Sequence, residues 1–398
     1  MKQLLLAIAL LSVAFTGMAG GDMEISGKAG LDLRLFTSNA LYPNQYDTSN
    51  LSLFIEPELF WEWNEGSDTL TFTPFLRVDQ HDNERTHGDI RELFWTHVGE
   101  DWELHTGIRK VFWGVTEFQH LVDIINQTDG VEDIDVEEKL GQPMINLSLV
   151  RDWGYIDLFV LPFFRERTFP GMEGRLRSEL VVDTDQTTFE SAAEEHHVDV
   201  ALRWSHTLGD YDIGAYWFHG TNRDPLLQPG LNMQGDLVLL PYYEQIDQLG
   251  LDLQATLGDW LWKFELIWRD SNNDTFFAAQ GGFEYTLVGI GESAVDLGLL
   301  MEYGWDQRGT ATTRLLQNDL LMGTRIALND AASTEILAGI GYDFDYHSSS
   351  LLLEASRRLG DDWKISLDGR FFSGDEPADI TYTLRRDDHL QITLERYF

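Results

Sequence analysis

Leu359-Gly360-Asp361-Asp362-Trp363-Lys364-Ile365-Ser366-Leu367-Asp368-Gly369-Arg370-Phe371 carries both signals on which the fold turns. After the turn, Trp363, Ile365, Leu367, Gly369 and Phe371 fall on one face, and Lys364, Ser366, Asp368 and Arg370 on the other, the period of a β-strand. The pattern returns where Trp260, Trp262, Phe264, Leu266 and Trp268 oppose Lys263, Glu265 and Arg269, and where Val198, Val200, Leu202 and Trp204 oppose Asp199, Arg203 and Ser205. In water such alternation builds a sandwich or soluble barrel; in a membrane the apolar face meets lipid and the polar face lines a lumen.

The turn separates the two. Val98-Gly99-Glu100-Asp101-Trp102, Leu208-Gly209-Asp210-Tyr211 and Leu257-Gly258-Asp259-Trp260 repeat its chemistry, each a tight hairpin followed by an aromatic, as a ring of Trp and Tyr at one membrane interface requires. About eighteen strands of transmembrane length can be counted. They are 25–36, 50–63, 69–79, 88–99, 102–112, 144–152, 154–164, 197–208, 211–220, 242–257, 260–270, 276–289, 294–306, 316–328, 333–345, 349–359, 362–373 and 387–397. Sixteen stays open because 242–257 reads ambiguously. In this order the tight turns share one side, and the long connections 37–49, 113–143, 165–196, 221–241 and 374–386 share the other. That asymmetry predicts an all-β, transmembrane, antiparallel up-and-down barrel, its first strand running outward from the periplasm.

Met1 to Ala19 reads as a signal peptide, with Lys2, an apolar core from Leu4 to Phe15 and small residues at Gly17 and Ala19. The rest, 20–398, reads as one barrel exported to the cell outer membrane. The absence of cysteine excludes disulfides and thiolate-held metals, and a formal charge of -39 argues against nucleic acid and towards cations or neutral solutes. The chain ends on Phe398, sharing a face with Leu390, Ile392 and Leu394, like the terminal-aromatic signal read by the barrel assembly machinery; Arg396 departs from it. Expected partners are outer-membrane lipids, lipopolysaccharide, that machinery and small hydrophilic solutes. Homotrimers are an analogy with porins alone. No cofactor is expected.

The third long connection, 113–143, departs from strand alternation. Val115, Phe118, Leu121, Val122 and Ile125 recur at helical spacing, which predicts a partly helical inserted loop with those residues on the inner wall and Glu117, Asp123 and Asn126 towards water. Acidic residues follow: Asp129, Glu132, Asp133, Asp135, Glu137 and Glu138, without the spacing of a calcium loop. At its root stand Arg91, Glu92, Arg109 and Lys110, to which Asp123 and Asp129 could reach back; parity sends Arg109 and Lys110 to opposite faces. Arg77 and Arg151 are further basic candidates. Arg165, Arg167, Arg175 and Arg177 could form an anion-attracting mouth, or bind lipopolysaccharide phosphates.

Residues 90–147 also resemble a large, mostly uncharacterised family of porin-like Gram-negative outer-membrane barrels. Its members carry Arg-Glu-x-aromatic, then Gly-Arg-Gln-x-x-x-Trp-Gly, then Asp-x-x-Asn-Pro-x-Asp. Arg91-Glu92 with Phe94, Gly107 with Trp113-Gly114, and Asp123, Asn126 and Asp129 match; Ile108, Arg109 and Gln127 replace the family's Arg, Gln and Pro. The resemblance implies a barrel with a structured inward element and supplies no substrate.

A barrel this wide leaves an aqueous channel unless plugged. The expected function is a porin-like, cation-preferring channel for passive diffusion of small hydrophilic solutes, not an enzyme. The alternatives are a dedicated barrel for a specific ligand or polysaccharide, and an outer-membrane hydrolase. Against the hydrolase, no Gly-x-Ser-x-Gly elbow exists, and His196, His197 and His219 near Glu194, Glu195 and Asp224 are pairings that chance supplies in so acidic a chain.

Overall fold

The computed structural model describes residues 21–312 and 317–398; the expected signal peptide lies outside the described residues. The strands are β1 (Asp22–Phe36), β2 (Ser49–Trp63), β3 (Asp68–Asp79), β4 (Gly88–Val98), β5 (Trp102–Arg109), β6 (Gln142–Arg151), β7 (Gly154–Leu161), β8 (Thr188–Phe189), β9 (Asp199–Leu208), β10 (Tyr211–Thr221), β11 (Leu226–Leu231), β12 (Leu237–Tyr243), β13 (Gln245–Leu257), β14 (Trp260–Ser271), β15 (Thr275–Leu287), β16 (Asp296–Asp306), β17 (Asn318–Ala327), β18 (Glu335–Asp343), β19 (Ser349–Leu359), β20 (Trp363–Ser373) and β21 (His389–Tyr397). All but β8, β11 and β12 form one 18-stranded sheet. Sequence neighbours pair antiparallel around it, and β21 closes on β1 from Lys28 opposite Tyr397 to Phe36 opposite His389. Closure leaves no unpaired edge, as a strand wall in hydrocarbon requires.

Burial along the strands is inverted relative to a soluble protein. Leu53, Ile55, Leu249, Trp262, Ile340 and Leu351 are exposed on the outer wall, whereas Asp32, Arg77, Arg91, Gln248, Glu265 and Glu302 are buried inside. The alternation read from 363–371 thus separates a lipid-like outside from a polar inside.

The Gly-Asp turns have a further role. Gly209 and Gly258 adopt a φ of 64°, the left-handed conformation of two-residue hairpins, and Gly360, at 73°, opens a three-residue turn. The carbonyls of Asp101, Asp210, Asp259 and Asp362 accept the amides of Val150, Thr256, Thr286 and Tyr397 at 2.7–3.0 Å. Each tight turn therefore extends the ladder into the next strand. At the opposite end lie the long loops. The ambiguous segment 242–257 splits there: Tyr242 and Tyr243 end β12, and β13 starts at Gln245. β11 and β12 form a hairpin inside the connection expected as plain loop, joined by β8 in a three-stranded sheet.

Candidate functional site

Between Arg109, which ends β5, and Gln142, which starts β6, the chain turns into the barrel and crosses it. Phe118 reaches β17 and β18, which stand opposite β5 in the ring. There it lies over Gly323 and Gly339, where a Cβ would meet its ring at 3.4 and 3.1 Å. The small residues make the hollow that admits the ring.

The segment expected to be partly helical contains no helix. Its amides go to the wall instead of to carbonyls four residues back. Val115 N and Thr116 N donate to Glu265 Oε1 at 2.7 and 3.0 Å, and Val122 N to Glu265 Oε2 at 3.2 Å. Glu117 N and Phe118 N donate to the two oxygens of Glu302 at 2.8 and 3.3 Å. A carboxylate is a stronger acceptor than a peptide carbonyl, and two of them offset the cost of the unwound turn. The Glu117 side chain binds Lys263 Nζ at 3.1 Å and Arg325. Burial opposes ionisation of Glu117, but Lys263 and Arg325 outweigh it and hold the carboxyl below the ordinary glutamate range. His120 beside it is pushed below the ordinary histidine range, chiefly by burial.

After this first arm the loop returns towards its root. Leu121, Val122, Ile124 and Ile125 pack with Trp113 against inward apolar residues of β6, β7, β9, β10 and β13 to β15, among them Met144, Leu161, Phe218 and Ile267. Val122 and Ile125 are 0% exposed. The inner wall is apolar where this part of the loop lies on it.

A second arm, 129–135, is held by side-chain ion pairs. Arg91 Nη1 meets Asp129 Oδ2 at 2.6 Å, and Arg77 binds Glu132 at 2.6 Å and also Asp32. Arg34 donates to the Glu132 carbonyl at 2.6 Å and lies 3.7 Å from Asp133; Arg370 meets Asp135 at 2.8 Å. Buried guanidinium–carboxylate pairs of this kind cost more to break than they contribute when whole, so they fix position.

The structure brings together Arg77, Arg91, Glu117, Asp129, Glu132, Asp133 and Asp135 as contacts between loop and wall. Others differ from expectation. Asp123 pairs with Lys139 at 3.1 Å, not with the root arginines, and Asn126 bridges Val111 N, the Arg109 carbonyl and the Leu140 carbonyl at 2.8–2.9 Å. Both were expected towards water, yet both are buried because they staple the loop's own ends. Arg109 reaches Asn146 at 3.0 Å, whereas Lys110 is exposed and its amide donates to Glu92. In the expected mouth, Arg175 is buried on Asp387 at 2.6 Å and over Phe36, and Arg177 is buried on the carbonyls of Met172, Ser178 and Glu179. Loop burial, not a solvated ring, takes these two cations. Arg165 binds Asp89 at 2.7 Å, and Arg167 lies 3.8 Å from Asp224. Arg151 pairs with Asp101 at the tight-turn rim. The partner of His219 is Asp247 at 3.2 Å, not Asp224.

Towards the tight-turn end the inner wall stays partly solvent-exposed. Glu58, Glu103, Asp157, Glu284, Glu354 and Asp368 stand there with Lys28, Lys263, Arg325 and Lys364, and the loop adds exposed Glu137 and Glu138. Acid exceeds base among these accessible groups. His87, Asp129 and Glu132 offer ligand atoms within 4.8 Å of one another, but Arg91 and Arg77 already occupy the two carboxylates, so the trio reads as part of the clamp.

Sequence reasoning missed Glu265, Glu302, Lys263, Arg325, Arg34 and Arg370 as loop partners. Their signal was present: each sits on the polar face of an alternating strand, and that face is the lumen wall.

No family model matches the chain, and no curated protein matches it. Among solved structures it is similar to OpdQ of Pseudomonas aeruginosa, with a TM-score of 0.55 and 10% identity over 95% of this chain and 97% of that one. A BenF-like porin from Pseudomonas fluorescens Pf-5 gives 0.55 and 8% over 95% and 98%. Wzi of Escherichia coli, described as an outer membrane protein involved in group 1 capsule assembly and a carbohydrate-binding β-barrel, gives 0.53 and 10% over 98% and 87%. At these identities the likeness is one of fold, and that fold is the outer-membrane β-barrel.

Proposed function

We propose that this protein is an outer-membrane channel through which small hydrophilic solutes diffuse passively, with a preference for cations. The observation that carries the reading is the half-exposed, predominantly acidic inner wall beneath a loop that crosses the lumen. A closed barrel of this strand number is too wide for wall side chains to fill, so the crossing loop sets the aperture. Acidic groups around a low-dielectric aperture raise the local cation concentration and repel anions. Two of the similar structures, the BenF-like porin and OpdQ, support a barrel of this general kind. Membership of the porin-like family that 90–147 resembles is part of the same proposal, since the matching residues form the crossing loop and its root.

The test is the reversal potential of the purified protein in a planar bilayer under a potassium chloride gradient. A potential of the cation-preferring sign is expected; a uniformly anion-preferring one contradicts the reading. A second reading, a barrel that holds a specific ligand such as a saccharide, is favoured by the tight packing of the lumen towards the long loops, where Asn126, Asp129, Gln142, Gln248 and Glu265 are all buried. It predicts saccharide binding without ionic current.

A further inference from the structure

The tip of the crossing loop is seated by its backbone amides on two carboxylates of the wall. Glu265 is 0% exposed and spends its oxygens on three loop amides and on the Thr116 hydroxyl at 2.8 Å. Glu302 takes the next two amides and the Gln280 side chain at 2.8 Å. The basic side chain beside Glu265 is the imidazole of His120, 4.0 Å away. Neither carboxylate is therefore used primarily as a counter-ion. What they hold is backbone, and backbone hydrogen bonds fix the course of the chain more closely than a salt bridge between long side chains does.

Glu117 is the charged residue that this seat positions. Its amide is on Glu302, and its carboxylate faces Lys263 and Arg325, the latter shared with Glu284 at 3.6 Å. The Arg325 side chain is 35% exposed and that of Glu117 20% exposed, so both face accessible water. Removing Glu117 from this position would leave the Lys263 ammonium without its partner and Arg325 with Glu284 in place of two carboxylates, on the same stretch of wall.

We propose that Glu117 is a specificity-determining residue of the lumen, which it keeps cation-preferring by neutralising Lys263 and Arg325, and that Glu265 and Glu302 are the positioning residues that seat it. The proposal rests on the channel reading above and adds which charge sets the preference and what holds it. Charge within one Debye length of an aperture, about 8 Å at physiological salt, acts on permeating ions, whereas the same charge on a displaced loop is screened.

The experiment compares the full mature chain with Glu117→Gln, Glu265→Gln, Glu302→Gln, Thr116→Val and the double variant E117Q/E265Q, by reversal potential and by cleavage after Glu117 with a glutamate-specific protease. Glu117→Gln is expected to move the reversal potential towards anions. Glu265→Gln and Glu302→Gln should move it the same way and speed cleavage on the order of tenfold, as a locally opened segment allows. The double variant should shift no further than Glu117→Gln alone. Thr116→Val, which removes one donor from the loop side and leaves the wall intact, should give a smaller shift and covers the case in which a wall variant fails to fold. An unchanged potential in Glu117→Gln overturns the specificity role. Wild-type potential and wild-type cleavage in the folded wall variants overturn the positioning role. A wild-type protein that carries no current overturns the channel reading and the specificity role with it, while cleavage still decides the seat.

Discussion

The two arms of the crossing loop are held to the same barrel by opposite means. Residues 115–122 present backbone amides to carboxylates of the wall, and 129–135 present carboxylates to guanidiniums of the wall. The first arrangement needs particular wall residues and, at the tip, the side chains of Thr116, Glu117 and Phe118. The second needs matched side chains on both partners. Position is thus fixed redundantly at the root side and by two carboxylates at the far wall, which makes the far-wall tip the end that a small change can free.

The largest effect expected to break this comparison is on the second arm. Replacing Arg77 with Leu leaves Glu132 buried without its guanidinium and Asp32 with Arg85 alone, 3.6 Å away, and should cost about 3–5 kcal/mol. Thermal unfolding should read the loss, and glutamate-specific cleavage should appear after Glu132 while Glu117 stays protected. Replacing Glu265 with Ala should do the reverse: three amides and a hydroxyl lose their acceptor, costing about 1–3 kcal/mol net where water replaces part of it. Cleavage should then appear after Glu117 and not after Glu132. A Gly339→Val substitution places atoms where the Phe118 ring now lies, 3.1 Å from the new Cβ, and should lift the tip at a cost of about 1 kcal/mol. Its signature is raised conductance with little change in melting temperature.

Acid should sharpen the same contrast by the smallest step. The carboxyl of Glu117 and the imidazole of His120 both titrate below their ordinary ranges when the loop is seated. Groups with depressed values stabilise the seated state above their unfolded pKa and lose that contribution as pH falls through the lowered one. The His120 part should begin to fade as pH drops below about 6.5, and the Glu117 part below about 4.3. Cleavage of the tip by an acid-stable protease should rise through that interval in the wild type and less in Glu117→Gln.

Much of the fold was legible because the barrel is built from local signals. Period-two alternation at 260–268 and 363–371 gave the faces, and the Gly-Asp turns gave the end at which each hairpin closes. Both signals act within a dozen residues, so tertiary context had little to overrule. The lumen was harder to read. Of the helically spaced residues, Leu121, Val122 and Ile125 are buried against an apolar patch of wall and Phe118 lies over Gly323 and Gly339, and irregular chain can show such spacing when something else accepts its amides. That acceptor, Glu265 with Glu302, lies well over a hundred residues away, and no local pattern could announce it. Arg77, Arg91 and Asp129 were identified because strand parity and loop acidity are visible one segment at a time. The reach of Asp129 back to Arg91 was readable in the same way, whereas the pairing of Arg77 with Asp32 and Glu132 depends on the side-by-side packing of β1, β2 and β3 and on where the loop crosses them.

In the proposed channel, residues 110–141 narrow a conducting lumen. Single-channel conductance of the wild type and of a chain lacking 117–141 tests it most directly. Open, cation-preferring channels whose conductance rises several-fold on deletion are expected, since the loop crosses to the far wall. Equal conductance in both folded proteins, or silence in both, would contradict it.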